Sequence, residues 1–264
     1  DQSVPEIEAP VGETRFVADL AAQSAEGEGA QVCGIIGHVN FRFGNEVEAV
    51  LNAHIEAGNG LFRGIRQSCT WDASDLIPNA GNNPVQHLYL QDDFHEGFAH
   101  LAPLGLSFES WLYHTQLPDL TDLARTVPDT TIVGNHLGGP LGIGPYANRR
   151  EEVFAEWSEN YATLSECSNV FAKLGGIAMT TNGFGWAERD LPPTSDALAD
   201  AQRPYYLHAI ECFGPNRCMF QSNFPVEKQS VSYHVLWNTF KKVAVAFSEA
   251  VSYTHLTLPT SDLV

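Results

Sequence analysis

His38, Arg66, His114, His136, Lys173 and Asn223 each stand at or just beyond the carboxyl end of a short apolar run. In parallel α/β architectures catalytic groups collect at such positions, because the strands end together and the loops after them are free to shape a pocket. Histidine supplies a neutral ring nitrogen that can hold a metal or take a proton near pH 7. Arginine offers a planar fork to a carboxylate, and lysine a point charge for a developing oxyanion. His136 has the most distinctive surroundings. The β-branched run Thr130-Thr131-Ile132-Val133 reads as a buried strand, passes through Gly134-Asn135-His136, and breaks into a loop at Gly138-Gly139-Pro140. Each residue also has an ordinary reading. His38 or His136 can satisfy a carbonyl, Arg66 can serve a structural ion pair, and Lys173 can lay its stem along apolar surface. The remaining histidines (His54, His87, His95, His100, His208 and His234) fall on helices or loops and read as packing or surface residues.

The elements that must position these groups alternate. Strands are expected over 32–39, 61–66, 106–113, 130–135, 170–174 and 217–220. Between and around them helices are expected over 13–25, from an Asn45 cap to about Ala57, and over 92–101, 117–126, 149–167, Ser195 or Asp196 to Phe213, and 230–247. Alternation of this kind implies parallel strands with helices outside. A doubly wound sheet and a (β/α)8 barrel both satisfy it. A complete barrel usually takes about 250 residues and eight units, so six units is a shortfall.

Composition narrows the class. The chain has 264 residues, of which 44% are hydrophobic, enough for a substantial core. A formal charge of −18 argues against a nucleic-acid partner, because little here could neutralise a phosphate backbone. The apolar runs are too short to span a bilayer, and Asp1 opens no signal-peptide pattern. Cys33, Cys69, Cys167, Cys212 and Cys218 are scattered with no CxxC, and read as small apolar fillers in a reducing, cytoplasmic setting.

Five phrases carry a resemblance: Phe62-Arg63-Gly64-Ile65-Arg66; Trp111-Leu112-Tyr113-His114 with Gln116; Asn135-His136-Leu137-Gly138-Gly139-Pro140; Val170 to Gly176; and Arg217-Cys218-Met219-Phe220-Gln221-Ser222-Asn223-Phe224-Pro225. In order and spacing, from about Gly12 to Phe247, they resemble the amidohydrolase-related family, the lactonase and decarboxylase branch of the metal-dependent hydrolase superfamily. The resemblance implies a TIM-type (β/α)8 barrel over residues 1–250. It also implies hydrolysis of a small lactone, carboxylic ester or amide by an activated water, sometimes with a divalent metal such as zinc or manganese. The same family contains carboxy-lyases. Carried over by position, His114 and His136 match histidines that bind metal or act on the substrate. Arg66 matches the residue that would hold a substrate carboxylate or hydroxyl, with Lys173, Gln116 and His38 as further substrate contacts. Asn223 falls where the family usually carries the aspartate of Ser-Asp-x-Pro, a general base or metal ligand. An amide accepts no proton at neutral pH and is a poorer ligand.

The family's opening His-x-His strand has no counterpart here. The six strands would then correspond to the last six of eight, in a chain truncated at its start, and the barrel would be open. Residues 251–264 break the helical pattern and resemble a foreign, disordered tail. These departures also leave a third class open: a barrel that only binds a small acid or a partner chain. The expected partner is a small carboxylate or lactone, with a homo-oligomer compatible.

Overall fold

The computed structural model describes residues 5–28, 31–79, 85–245 and 247. The expected tail at 251–264 lies outside the described residues, as does the end of the 71–84 loop. Six strands, β1 (Ile35–Gly37), β2 (Phe62–Ser68), β3 (Ser107–Trp111), β4 (Ile132–Gly134), β5 (Val170–Leu174) and β6 (Cys218–Phe220), pair in parallel in their sequence order. That order decides between the two architectures left open by alternation. A doubly wound sheet reverses direction at a switch point, whereas the wall of a barrel advances strand by strand around one axis. The fold is therefore an α/β arc of TIM-barrel type with six β/α units. Among the described residues, β1 and β6 each pair on one side only.

Seven helices accompany the strands among the described residues: α1 (Val11–Ala25), α2 (Val47–Ala57), α3 (Asp92–Phe98), α4 (Leu117–Thr126), α5 (Arg150–Ser165), α6 (Ser195–Phe213) and α7 (Tyr233–Ala244). Strand alternation gives the sheet two unlike faces. Ile65, Phe108, Ile132, Ala172 and Phe220 are buried in one contiguous core with Phe98, Leu120, Trp157, Ile210 and Phe240 from the helices. Ring contacts show how closely the layers meet: Phe98 and Phe108 lie 5.0 Å apart, and Phe220 and Phe240 4.8 Å apart. The opposite face carries Arg66, Glu109, Trp111 and Lys173. No helix among the described residues is long and apolar enough to cross a membrane.

Helix α4 and strand β5 occupy the predicted spans. Elsewhere the ends differ. Asn45 does not cap α2; a 3-10 turn at Phe41–Glu46 precedes that helix, with Gly44 at φ +56° inside it. The capping amide is Asn40, whose side chain accepts from the Arg42 N–H at 3.2 Å. Strand β1 is shorter than its apolar run, because Val32, Cys33 and Gly34 are exposed and only Ile35–Gly37 meets β2. Arg217, predicted to open the last strand, instead ends a 3-10 turn and donates to the carbonyls of Ser165, Cys167 and Val170, closing the end of α5.

Candidate active site

Register builds the site. Arg66 on β2 stands opposite Glu109 on β3. Arg66 Nε donates to Glu109 Oε2 at 3.0 Å, and its Nη2 reaches the same oxygen. On β5, Phe171 is level with Val133. Lys173 is therefore two residues further along the same face, level with Asn135, and its Nζ donates to the other Glu109 oxygen. The Asn135 amide closes the group: Nδ2 donates to Glu109 Oε2 at 3.3 Å, and Oδ1 accepts from Arg66 Nη2 at 3.4 Å. Two cations thus share one buried carboxylate, and the face is left with a surplus of one positive charge. Burial alone would raise the Glu109 carboxyl, but Lys173 and Arg66 outweigh it and hold the group below its ordinary value. Burial lowers the Lys173 ammonium, only partly offset by Glu109.

His136 adjoins this group. Its backbone is left-handed (φ +55°), as is Leu137 (φ +53°), followed by Gly138 and Gly139 at +65° and +50°. The turn lays the ring edge-on to Trp111, centroids 4.6 Å apart. Gly176 covers the other side; a Cβ there would overlap His136 Nδ1, and its φ of +78° also excludes most side chains. Gln221 Nε2 donates to His136 Nδ1 at 2.7 Å, which fixes the neutral ring's proton at Nε2. Burial, with Arg66 and Lys173 in support and Glu109 opposing, pulls the imidazole down to about 3. His136 is therefore neutral at pH 7 and presents an N–H.

The other predicted residues sit apart from this group to different degrees. His38 is exposed at the end of β1, and its Nδ1 donates to the Arg66 carbonyl at 2.9 Å, leaving Nε2 with its lone pair. His114 is buried on a different set of neighbours. The Leu141 N–H donates to its Nδ1 at 3.4 Å, Tyr146 meets its ring at 5.2 Å, and Nε2 has no partner. Burial, partly opposed by Asp72, lowers it to about 4. Gln116 spends its amide on backbone: Oε1 accepts from Trp71 and Tyr113 N–H, and Nε2 donates to the Cys69 carbonyl at 2.6 Å. It ties the loop after β2 to the end of β3. Asn223 has φ +51° and a buried Nδ2 without a partner.

Among the described residues, no three His, Cys, Asp or Glu side chains are grouped to hold a metal ion. Glu109, whose charge acts on His136 from this face, is taken up by two cations that would repel a divalent ion. The donor set among the described residues does not fit the expected zinc or manganese.

Sequence reasoning missed Glu109, Asn135 and Gln221. Glu109 lies inside a strand and not at its end. The available signal was a lone carboxylate within the apolar run 106–113, where only a paired charge is tolerated.

A parallel sheet in sequential order, with ionisable groups at the carboxyl ends of its strands, defines a barrel-type α/β protein with a strand-end site. The profile of the amidohydrolase family matches residues 3–252, and the chain belongs to that family. The uncharacterized protein y4mH of Sinorhizobium fredii is 35% identical over 239 residues, 90% of this chain and 70% of that protein. The L-fucono-1,5-lactonase of Burkholderia multivorans is 25% identical over 223 residues, 84% of this chain and 65% of that enzyme. The chain thus spans about two thirds of the length of these curated relatives. In fold it is similar to a zinc-bound amidohydrolase from Burkholderia multivorans, with a TM-score of 0.71, 21% identity, and coverage of 91% of this chain and 74% of that one. A 5-carboxyvanillate decarboxylase from Sphingomonas paucimobilis gives a TM-score of 0.53 at 14% identity, covering 96% of this chain and 72% of that one.

Proposed function

We propose that this chain hydrolyses a small lactone or related carboxylic ester or amide that carries an anionic or hydroxyl group. One observation supports this reading above the others: Arg66 and Lys173 share the single carboxylate of Glu109, so positive charge is left over beside a neutral, N–H-presenting His136. Arg66 spends Nε and Nη2 on Glu109 and Asn135, leaving Nη1 for a substrate carboxylate. Lys173 Nζ and the His136 Nε2–H steady the carbonyl oxygen as it gains charge. His38 takes the proton of the attacking water at Nε2. Collapse of the tetrahedral adduct breaks the acyl bond to oxygen or nitrogen, and the same proton passes to the leaving atom.

The lactonase relative supports the same chemistry at the level of the family. A binding-only barrel is the second reading, favoured by the unpartnered amide of Asn223, where the family usually carries a carboxylate.

A panel of γ- and δ-lactones and aryl esters, followed by acid release at constant pH, separates these readings. Turnover that falls at least ~100-fold in both Lys173→Met and His136→Ala supports the hydrolase. Release of carbon dioxide from aromatic carboxylic acids assayed alongside the panel, with no acid release from the panel, assigns the chain to the carboxy-lyases. No turnover, with binding of a panel lactone or its hydroxy acid abolished by Lys173→Met, supports the binding-only barrel. Neither turnover nor binding overturns both readings.

A further inference from the structure

We propose that the cavity between the β5–α6 and β6–α7 loops is a second binding site, for a small aromatic carboxylate. The cavity holds about 540 Å³, within the range of small-molecule sites, and its lining includes none of Arg66, Glu109, His136 or Lys173. Its walls are aromatic. Trp186 forms one side, with the Arg189 guanidinium 4.1 Å above its ring. Phe224 and Tyr233 form the other, edge to face at 5.2 Å. Ring walls of this kind favour a flat, apolar ligand body.

Charge selects what that body carries. Arg189 and Lys228 both line the cavity, and no Asp or Glu does. Glu188 and Asp190 flank Arg189 in sequence and are exposed, yet no ion pair among the described residues includes Arg189 or Lys228. In a chain with 32 acidic and 14 basic side chains, two unpaired cations at one acid-free cavity form a local field opposite to that of the whole. A carboxylate pairs with both cations, and an attached ring fills the aromatic space.

Titration calorimetry with benzoate tests the site, with benzyl alcohol and acetate as controls that lack the charge or the ring. Saturable benzoate binding is expected, at least tenfold tighter than either control. Arg189→Gln/Lys228→Gln is expected to weaken it at least tenfold, and Trp186→Phe several-fold, each with an unchanged circular dichroism spectrum. Lys173→Met is expected to leave benzoate affinity unchanged, which separates this site from the charged sheet face. Three results would overturn the proposal: no saturable binding, equal affinity for acetate, or loss of binding in Lys173→Met with retention in Arg189→Gln/Lys228→Gln. None of these bears on lactone turnover, so this inference and the proposed hydrolysis fail independently.

Discussion

Arg66 and Glu109 face each other across the β2–β3 ladder, yet they are unequally exposed: the arginine side chain is 42% exposed and the carboxylate 5%. That asymmetry predicts unequal costs of removal. Arg66→Gln strips a half-solvated partner and still leaves Lys173 on the anion, so it should cost about 1 kcal/mol or less. Glu109→Gln leaves two cations facing each other without their shared counter-charge and should cost about 3 kcal/mol. Urea unfolding of the two variants measures the difference, and equal costs would contradict the arrangement.

Acid should destabilise the protein well above the carboxylate range. His136 and His114 titrate near 3 and 4 in the folded chain, below the ordinary histidine value of about 6.5. Between those limits the unfolded chain binds protons that the folded chain refuses, so stability falls as pH drops from about 6.5 towards 4. Glu109 adds to the loss lower down: its folded value is depressed, so its stabilisation is complete above about pH 4.3 and disappears as pH falls through the folded value. In His114→Gln, the slope of unfolding free energy between pH 4.5 and 6 should flatten by up to about 1.4 kcal/mol per pH unit. An unchanged slope would show that His114 is not held neutral.

Gln221 sets the His136 tautomer, and reversing its polarity should be visible in a pH profile. In Gln221→Glu a carboxylate would accept from Nδ1, move the ring proton there, and raise the imidazole pKa. The rate should then fall at least ~10-fold where the ring is neutral, because the N–H donor at Nε2 is lost, and should recover as pH drops through the raised pKa and both ring nitrogens carry protons. Nitrogen chemical shifts of the ring report the tautomer directly.

Gly176→Ala tests the wall behind the ring. The new methyl would meet His136 Nδ1, and alanine would have to hold φ +78°. A stability loss of about 1–2 kcal/mol is expected, from the backbone strain and a displaced imidazole. Turnover should fall more than the stability change explains. A variant with normal turnover would place the working ring elsewhere.

The parts read correctly from sequence were those with a strong local pattern. Alternating apolar runs, with breaks at Gly and Pro, located all six strands and the 117–126 helix. The strand-end rule pointed to Arg66, His136 and Lys173, which the folded chain gathers around Glu109. Glu109 escaped that rule, because its role depends on which strand lies alongside, a fact of register and not of spacing. For Gln116 the resemblance implied a substrate contact; in the fold its amide is hydrogen-bonded to Cys69, Trp71 and Tyr113, three backbone partners that no local pattern reveals. The Asn45 cap failed for a related reason: Gly44 takes φ +56°, and the chain turns once before α2 begins.

The left-handed turn from His136 to Gly139 sets durability against activity. Holding two residues with side chains in that region costs roughly 1–2 kcal/mol each. The counterweight comes from another layer, where the Trp157 indole on α5 donates to the Leu137 carbonyl at 2.6 Å. Position 157 therefore acts on the imidazole without touching it. Selection for heat resistance alone would tend to relax this turn, and the hardier descendants would be the ones whose His136 had swung out of line.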